Sequence, residues 1–359
     1  MTLRRFHALA VTLMLPAVAV VAGPVSAPAS ASTTGRAGNT TITLMTDDSF
    51  NISNKVMRDF TRKTGVTVKV LRSGDAGAAV NQAILTKSNP VGDVFFGVDN
   101  TLLSRALHAG IFIPYKSPEL ANISKDIRLD PRNRVTPVDT ADACINFDRK
   151  YFADKNLTVP QTLDDLTKPE YKSLLVVENP ATSSPGLAFL LATVSRFGPD
   201  GWRAYWEKLR GNGVKVVDTW EQAYNTEFSG SAGKGGSPLV VSYATSPPTE
   251  VVNAHPQPDE PPTGALLDTC FRQIQFAGIL EGTTHEKAAK QLVDFMLSGR
   301  FQRDIPLRMH EFPARDGTKL PDVFVKYAKV APRPFLLPPE EIAKNRDQWI
   351  DEWTDTVLR

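Results

Sequence analysis

The stretches VDTADACINF (Val138–Phe147) and FRQIQFAGIL (Phe271–Leu280) decide the fold. Both read as extended passages, and the chain's two cysteines, Cys144 and Cys270, fall in the first and immediately before the second. Around them the apolar pattern alternates between the two-residue period of strands and the 3.6-residue period of helices. Upstream, Thr41–Met45 is a strand stopping at Asp47-Asp48-Ser49, a helix carrying Val56 and Phe60 ends at Thr64-Gly65, and Val66–Leu71 is a second strand. Asn81–Thr86 reads as helix, Val91–Val98 as a buried strand, and Thr101–Ala109 as a helix closed by Gly110. Between the two passages lie a short helix at Thr162–Leu166, strands at Ser173–Glu178, Val214–Val217 and Leu239–Tyr243, and helices at Pro185–Phe197, Trp202–Leu209 and Trp220–Phe228. Helices at His285–Leu297 and Pro339–Leu358 close the chain. Such alternation predicts an α/β sheet with crossover connections. Two extended passages bracketing a middle unit predict a two-lobed cleft protein with a discontinuous first lobe. We expect lobe 1 to be residues 41–141 and 277–359, and lobe 2 to be residues 142–276 including the hinge strands.

A length of 359 residues with 42% apolar content suits a folded chain of about two domains. The N-terminus reads as an export signal over residues 1–31: Arg4 and Arg5, the apolar run Ala8–Ala22, and the small-residue site Ala29-Ser30-Ala31. A disordered leader is expected over residues 32–40. Residues 1–31 hold two basic and no acidic side chains, so their removal turns 41 bases against 39 acids into 39 against 39. That balance, without basic runs, argues against nucleic acid or an anionic membrane as partner. No cysteine near the cut offers a lipid anchor, so a periplasmic or extracellular protein is expected, released from the membrane. In an oxidising compartment the cysteines read as a disulfide; the competing reading makes one a nucleophile, and their spacing does not decide between them. The five histidines lack metal-ligand spacing, and neither metal nor cofactor is expected. The Gly/Ser-rich stretch 230–237 fails the phosphate-loop spacing and reads as a flexible connection.

Three strand-to-helix turns carry the candidate site. Thr182-Ser183-Ser184-Pro185-Gly186 and Ser242-Tyr243-Ala244-Thr245-Ser246-Pro247 each follow a strand and open a helix, with Ser184 and Ser246 as expected N-caps. Hydroxyls and free N–H groups there suit an anion, although simple capping uses the same residues. In the opposite lobe, Asp47-Asp48-Ser49 and Asp99-Asn100 end strands, where the carboxylates either hold a cation or cap helices. Trp220, Tyr224 and Tyr243 supply aromatic surface on which a cationic ring stacks.

These blocks resemble the periplasmic thiamine-binding proteins, the substrate-binding components of thiamine ABC importers. The likeness covers nearly the whole mature chain through TDDSF (46–50), DVFFGVDNTLL (93–103), NPATSSPGLAFL (179–190), WEQAY (220–224), LVVSYATSP (239–247) and FLLPPEEIAKNRDQWIDEW (335–353). It implies a type II two-lobed fold with two crossing hinge strands, thiamine or its phosphates in the cleft, and an ABC transporter permease as partner of a monomer. It also places Ser183, Ser184, Trp220, Tyr243 and Ser246 near the ligand. The chain departs from the family pattern where Asp47 replaces a Tyr and His310 a Trp, and where a Tyr-rich crossing segment reads Asp139-Thr140-Ala141-Asp142. Carboxylates thus stand where an aromatic clamp is usual. A more distant likeness to thiaminases makes an enzyme with Cys144 as nucleophile the alternative, and a binder of another small cation or anion a third reading.

Overall fold

The computed structural model describes Thr40–Ser231 and Gly235–Arg359; the export signal, nearly all of the expected leader and residues 232–234 of the Gly/Ser-rich connection lie outside these residues. The chain opens with β1 (Thr40–Thr46), α1 (Asn54–Thr64), β2 (Val66–Arg72), α2 (Ala76–Leu85), β3 (Val94–Asp99), α3 (Leu103–Ala109) and the short β4 (Phe112–Ile113). β5 (Val135–Asp148), α4 (Arg149–Asp154), β6 (Leu175–Glu178), α5 (Ser184–Gly211), β7 (Lys215–Val217), β8 (Leu239–Tyr243) and α6 (Pro247–Asn253) follow. β9 (Thr263–Leu280), α7 (Glu286–Met296), α8 (Gly299–Gln302), α9 (Ile305–Arg308), β10 (Phe312–Pro313), α10 (Asp322–Tyr327) and α11 (Pro339–Val357) complete it.

The local sequence explains the main boundaries. α1 buries Val56 and Phe60, four residues apart on one face, and stops because Gly65 takes a left-handed φ of 74° that a Cβ disfavours. The two helices expected before and after Phe197 are one nearly continuous element, α5, broken where Gly198 leaves helical geometry ahead of Pro199. Trp220–Phe228, expected as an ordinary helix, winds as a wider π-type turn over Gln222–Glu227. The expected 162–166 helix is a single 3-10 turn at Asp165–Thr167.

The ten strands of the described residues join one mixed sheet, with main order β2-β1-β3-β9-β5-β8-β6-β7. β2, β1 and β3 run parallel to one another, as do β8, β6 and β7. The two parallel groups are the lobes, and the long antiparallel strands β5 and β9 run between them. Their pairing changes register midway: Ala143 faces Phe271 but Ile145 faces Leu266, so residues 267–270 of β9 bulge opposite the single residue Cys144. Thr269 holds the bulge by accepting the Ile145 N–H at 2.9 Å and donating to the Leu266 carbonyl at 2.8 Å. Cys144 and Cys270 are joined there in a disulfide, fully buried against Ala244 and Ala331. α11 packs on both α3 and α5, with Trp353 edge-on to Trp206 at 5.4 Å, and so straps the two lobes at the back of the sheet.

Candidate functional site

A cavity of about 260 Å³ opens between the lobes, at the carboxyl ends of β1, β3 and β8. Strand ends facing a crevice are where open α/β sheets present their loops to ligands. Of the residues singled out in the sequence, Asp47, Ser49, Ser184, Trp220, Tyr224, Tyr243, Ser246 and His310 line it.

One wall is aromatic. Trp220 stacks on Tyr224 with centroids 5.1 Å apart and planes 13° apart, and Tyr243 lies 6.3 Å from the same indole. The Trp220 Nε1–H donates to Ser242 Oγ at 3.0 Å, and Ser242 Oγ pairs with Ser246 Oγ at 2.9 Å. These bonds and the stack on Tyr224 fix the ring in the cavity lining. The indole is therefore a preorganised surface for a flat or cationic ring.

The other wall is acidic. Asp47 is buried, and its Oδ1 accepts from the Ser49 and Phe50 N–H groups and from Ser49 Oγ. It fits because position 97 is glycine: at φ +111°, a Cβ built there meets Asp47 Oδ2 at 2.5 Å. Burial raises the Asp47 carboxyl to about 6. Glu311, held by Gln275 Nε2, is raised by burial to about 7. Behind it Asp139 is fully buried, and neither of its oxygens meets a donor. Burial, then repulsion from Glu311, lifts Asp139 well above the ordinary carboxyl range, so the pair retains a proton near neutral pH. His310, in a left-handed conformation at φ 62°, is pushed down by burial to about 4 and stays neutral.

The lobes touch at the cavity's edge. Asp75 caps α2 by accepting the Ala76 N–H at 2.7 Å, and its other oxygen accepts the Trp220 N–H at 3.0 Å across the cleft. The Gly77 N–H donates to the Thr182 carbonyl at 3.0 Å, again between lobes. The described chain is thus in a closed arrangement.

Seven residues nominated from the sequence lie outside the cavity lining. Asp48 is exposed and accepts the Gly74 N–H; Thr182 donates Oγ1 to the Asp218 carbonyl at 2.7 Å. Asp99 lies beneath the floor, capping the turn into α3 through the Thr101 and Leu102 N–H groups and accepting from Ser184 Oγ and Gln273. Asn100 ties β3 to β9 through the Arg272 carbonyl and the Ile274 N–H. Gly186 allows α5 to approach β6, since a Cβ there meets the Glu178 carbonyl at 2.5 Å. Ser183 and Thr245 are buried behind the cavity. The expected caps also shift: Ser183 is the N-cap residue of α5, Ser184 is already helical, and Ser246 makes no side-chain cap bond.

Sequence reasoning passed over Asp75, Glu250, Gln275 and Glu311. Asp75 had a readable signal, an N-cap Asp before the small residues Ala76-Gly77 that let α2 come close to lobe 2. Glu250, which accepts from the Tyr224 hydroxyl at 2.9 Å, had none beyond its place in the first turn of α6.

Two lobes, a crossed-over pair of linking strands and a ligand-sized cleft between them define a solute-binding protein. The family model for bacterial extracellular solute-binding proteins matches residues 89–342. The chain belongs to that family. It is 30% identical over 330 residues to the thiamine-binding periplasmic protein of Brucella suis, covering 89% of this chain and 92% of that one. Identity with the thiamine-binding periplasmic protein of Escherichia coli is 29%, over 85% of this chain and 88% of the relative. A solved periplasmic thiamin binding protein superposes with a TM-score of 0.79 at 25% identity, covering 89% of this chain and 96% of the other.

Proposed function

We propose that this protein captures thiamine in the cleft and hands it to the permease of an ABC importer, acting as an exported monomer. The observation that carries the reading is the indole of Trp220, fixed in the lining of a cavity that Asp47 and Glu311 line from the other lobe. A thiazolium ring is flat and permanently positive, so it gains from both walls at once. The names of the relatives at 29% and 30% identity support the same ligand. Within this reading the lobes are residues 41–141 with 277–359, and residues 142–276, and closure is a rotation carried by β5 and β9. Asp47, Ser49, Ser184, Trp220, Tyr224, Tyr243, Ser246 and His310 contact the ligand, with Asp99, Ser183 and Thr182 supporting them from behind. Binding rather than thiaminase-like turnover is favoured because the Cys144 sulfur is bonded to Cys270 and neither cysteine lines the cavity. Asp142, its nearest acid in sequence, is committed to Arg272 and the Ala331 N–H. No described helix is long and apolar enough to cross a membrane.

Isothermal calorimetry with thiamine on the mature chain tests the proposal, and absence of binding removes it. The pH dependence should be diagnostic. Asp47 titrates at about 6 and Glu311 at about 7, and a cation is attracted only to their ionised forms. Affinity should therefore rise between about pH 5.5 and about pH 8, by roughly 10-fold. His310, at about 4, stays neutral throughout and so does not reverse the trend. Ligand-free stability should run the opposite way. These two carboxyls have folded values above their unfolded ones, so the folded state holds their protons more tightly. Their favourable contribution is present at low pH and lost as pH rises through about 6 to 7. Thermal melts at both pH values, with and without thiamine, read the two slopes separately.

A further inference from the structure

Most of the groups at the helix starts that would hold a phosphate in this cleft are already used by the protein itself; of the hydroxyls lining it, that of Thr249 has no partner. At the start of α5, Pro185 has no N–H, and the Ser184 hydroxyl donates to Asp99. Glu178 lies buried under the same helix start, both oxygens without a donor. At the start of α6, Pro247 and Pro248 remove two N–H groups, Ser246 is paired with Ser242, and Glu250 stands in the first turn. At the start of α2, the Ala76 N–H goes to Asp75 and the Gly77 N–H to the Thr182 carbonyl. The Ser49 N–H and hydroxyl and the Phe50 N–H all go to Asp47. Among the lining residues, Asp47, Asp75, Glu221, Glu250 and Glu311 face a single guanidinium, that of Arg308, which is exposed at the rim.

We infer that this cleft takes the free organic cation and turns away its phosphate esters, the protein's own carboxylates occupying the positions an anionic tail would need. The inference rests on the thiamine reading and narrows it to the unphosphorylated form. The physical reason is that a phosphate entering here finds most helix-start donors engaged and meets five lining carboxyl groups against one guanidinium, whereas the thiazolium and the neutral hydroxyethyl group of thiamine meet neither obstacle. Hydroxyl-rich, serine-flanked helix starts would ordinarily suggest the reverse.

Calorimetry at about pH 8 with thiamine, thiamine monophosphate, thiamine diphosphate and inorganic phosphate is the test. Thiamine is expected to bind, the monophosphate at least ~10-fold more weakly, the diphosphate more weakly again, and inorganic phosphate not at all. Asp47→Asn should narrow the ratio between thiamine and the monophosphate by weakening the first and relieving the second. Monophosphate binding as tight as thiamine, or tighter, overturns this inference and leaves the thiamine reading standing. Binding of none of them removes the thiamine reading and this inference with it.

Discussion

Gly77→Val should weaken thiamine binding by on the order of 100-fold while moving the melting temperature by no more than a few degrees. Gly77 sits in the first turn of α2, where its N–H meets the Thr182 carbonyl of the opposite lobe at 3.0 Å. A Cβ built there falls 2.6 Å from that carbonyl oxygen, a separation no real side chain tolerates. The clash is with backbone on the other lobe, so the lobes relieve it by staying apart. A ligand held by both walls binds well only to the closed form, and its apparent affinity falls with the closed fraction. Within α2 itself, replacing a helical glycine costs little, since glycine is the poorer helix former. Thiamine titration and a thermal melt of the variant provide both readouts. Unchanged affinity would mean that the Gly77–Thr182 contact does not belong to the ligand-binding state.

The second large effect is on stability. Cys144→Ala combined with Cys270→Ala should lower stability by about 2–5 kcal/mol, because the disulfide closes a loop of 126 positions and its loss frees the unfolded chain. For a chain of this size the melting temperature should drop by on the order of 10 °C. The bond joins β5 and β9 at the bulge, away from the cavity lining, so thiamine affinity should stay within a few-fold of the parent. Loss of binding in a variant that still folds would place the bulge among the determinants of closure; an unchanged melting temperature would refute the stabilising role.

Much of the fold was legible because most strands and helices carry their own period. β8 falls at Leu239–Tyr243, where alternation and flanking turns put it, and Gly65 and Gly110 end α1 and α3 as expected. β9 was harder. It starts at Thr263 rather than Phe271, because the four bulged residues break the two-residue pattern and hide the strand's first half. At the site, the aromatic wall was readable from Trp220, Tyr224 and Tyr243, whereas the acidic wall was only partly so. Asp47 was visible at a strand end, but Glu250 and Glu311 are isolated acids whose neighbours in space come from other elements. The serine-rich turns were visible and pointed toward an anion; the Ser184 hydroxyl instead donates to Asp99, distant in sequence and brought near only by the folded chain, and the Ser246 hydroxyl pairs with Ser242.

The placement of the five tryptophans has a practical consequence. Trp202, Trp206, Trp349 and Trp353 are buried in the core, and Trp220 alone faces the cavity. Its emission should change when a flat cation stacks on it, while the other four supply a constant background. The protein therefore carries a built-in optical reporter of occupancy, and ligand arrival can be followed by stopped-flow fluorescence without attaching any dye.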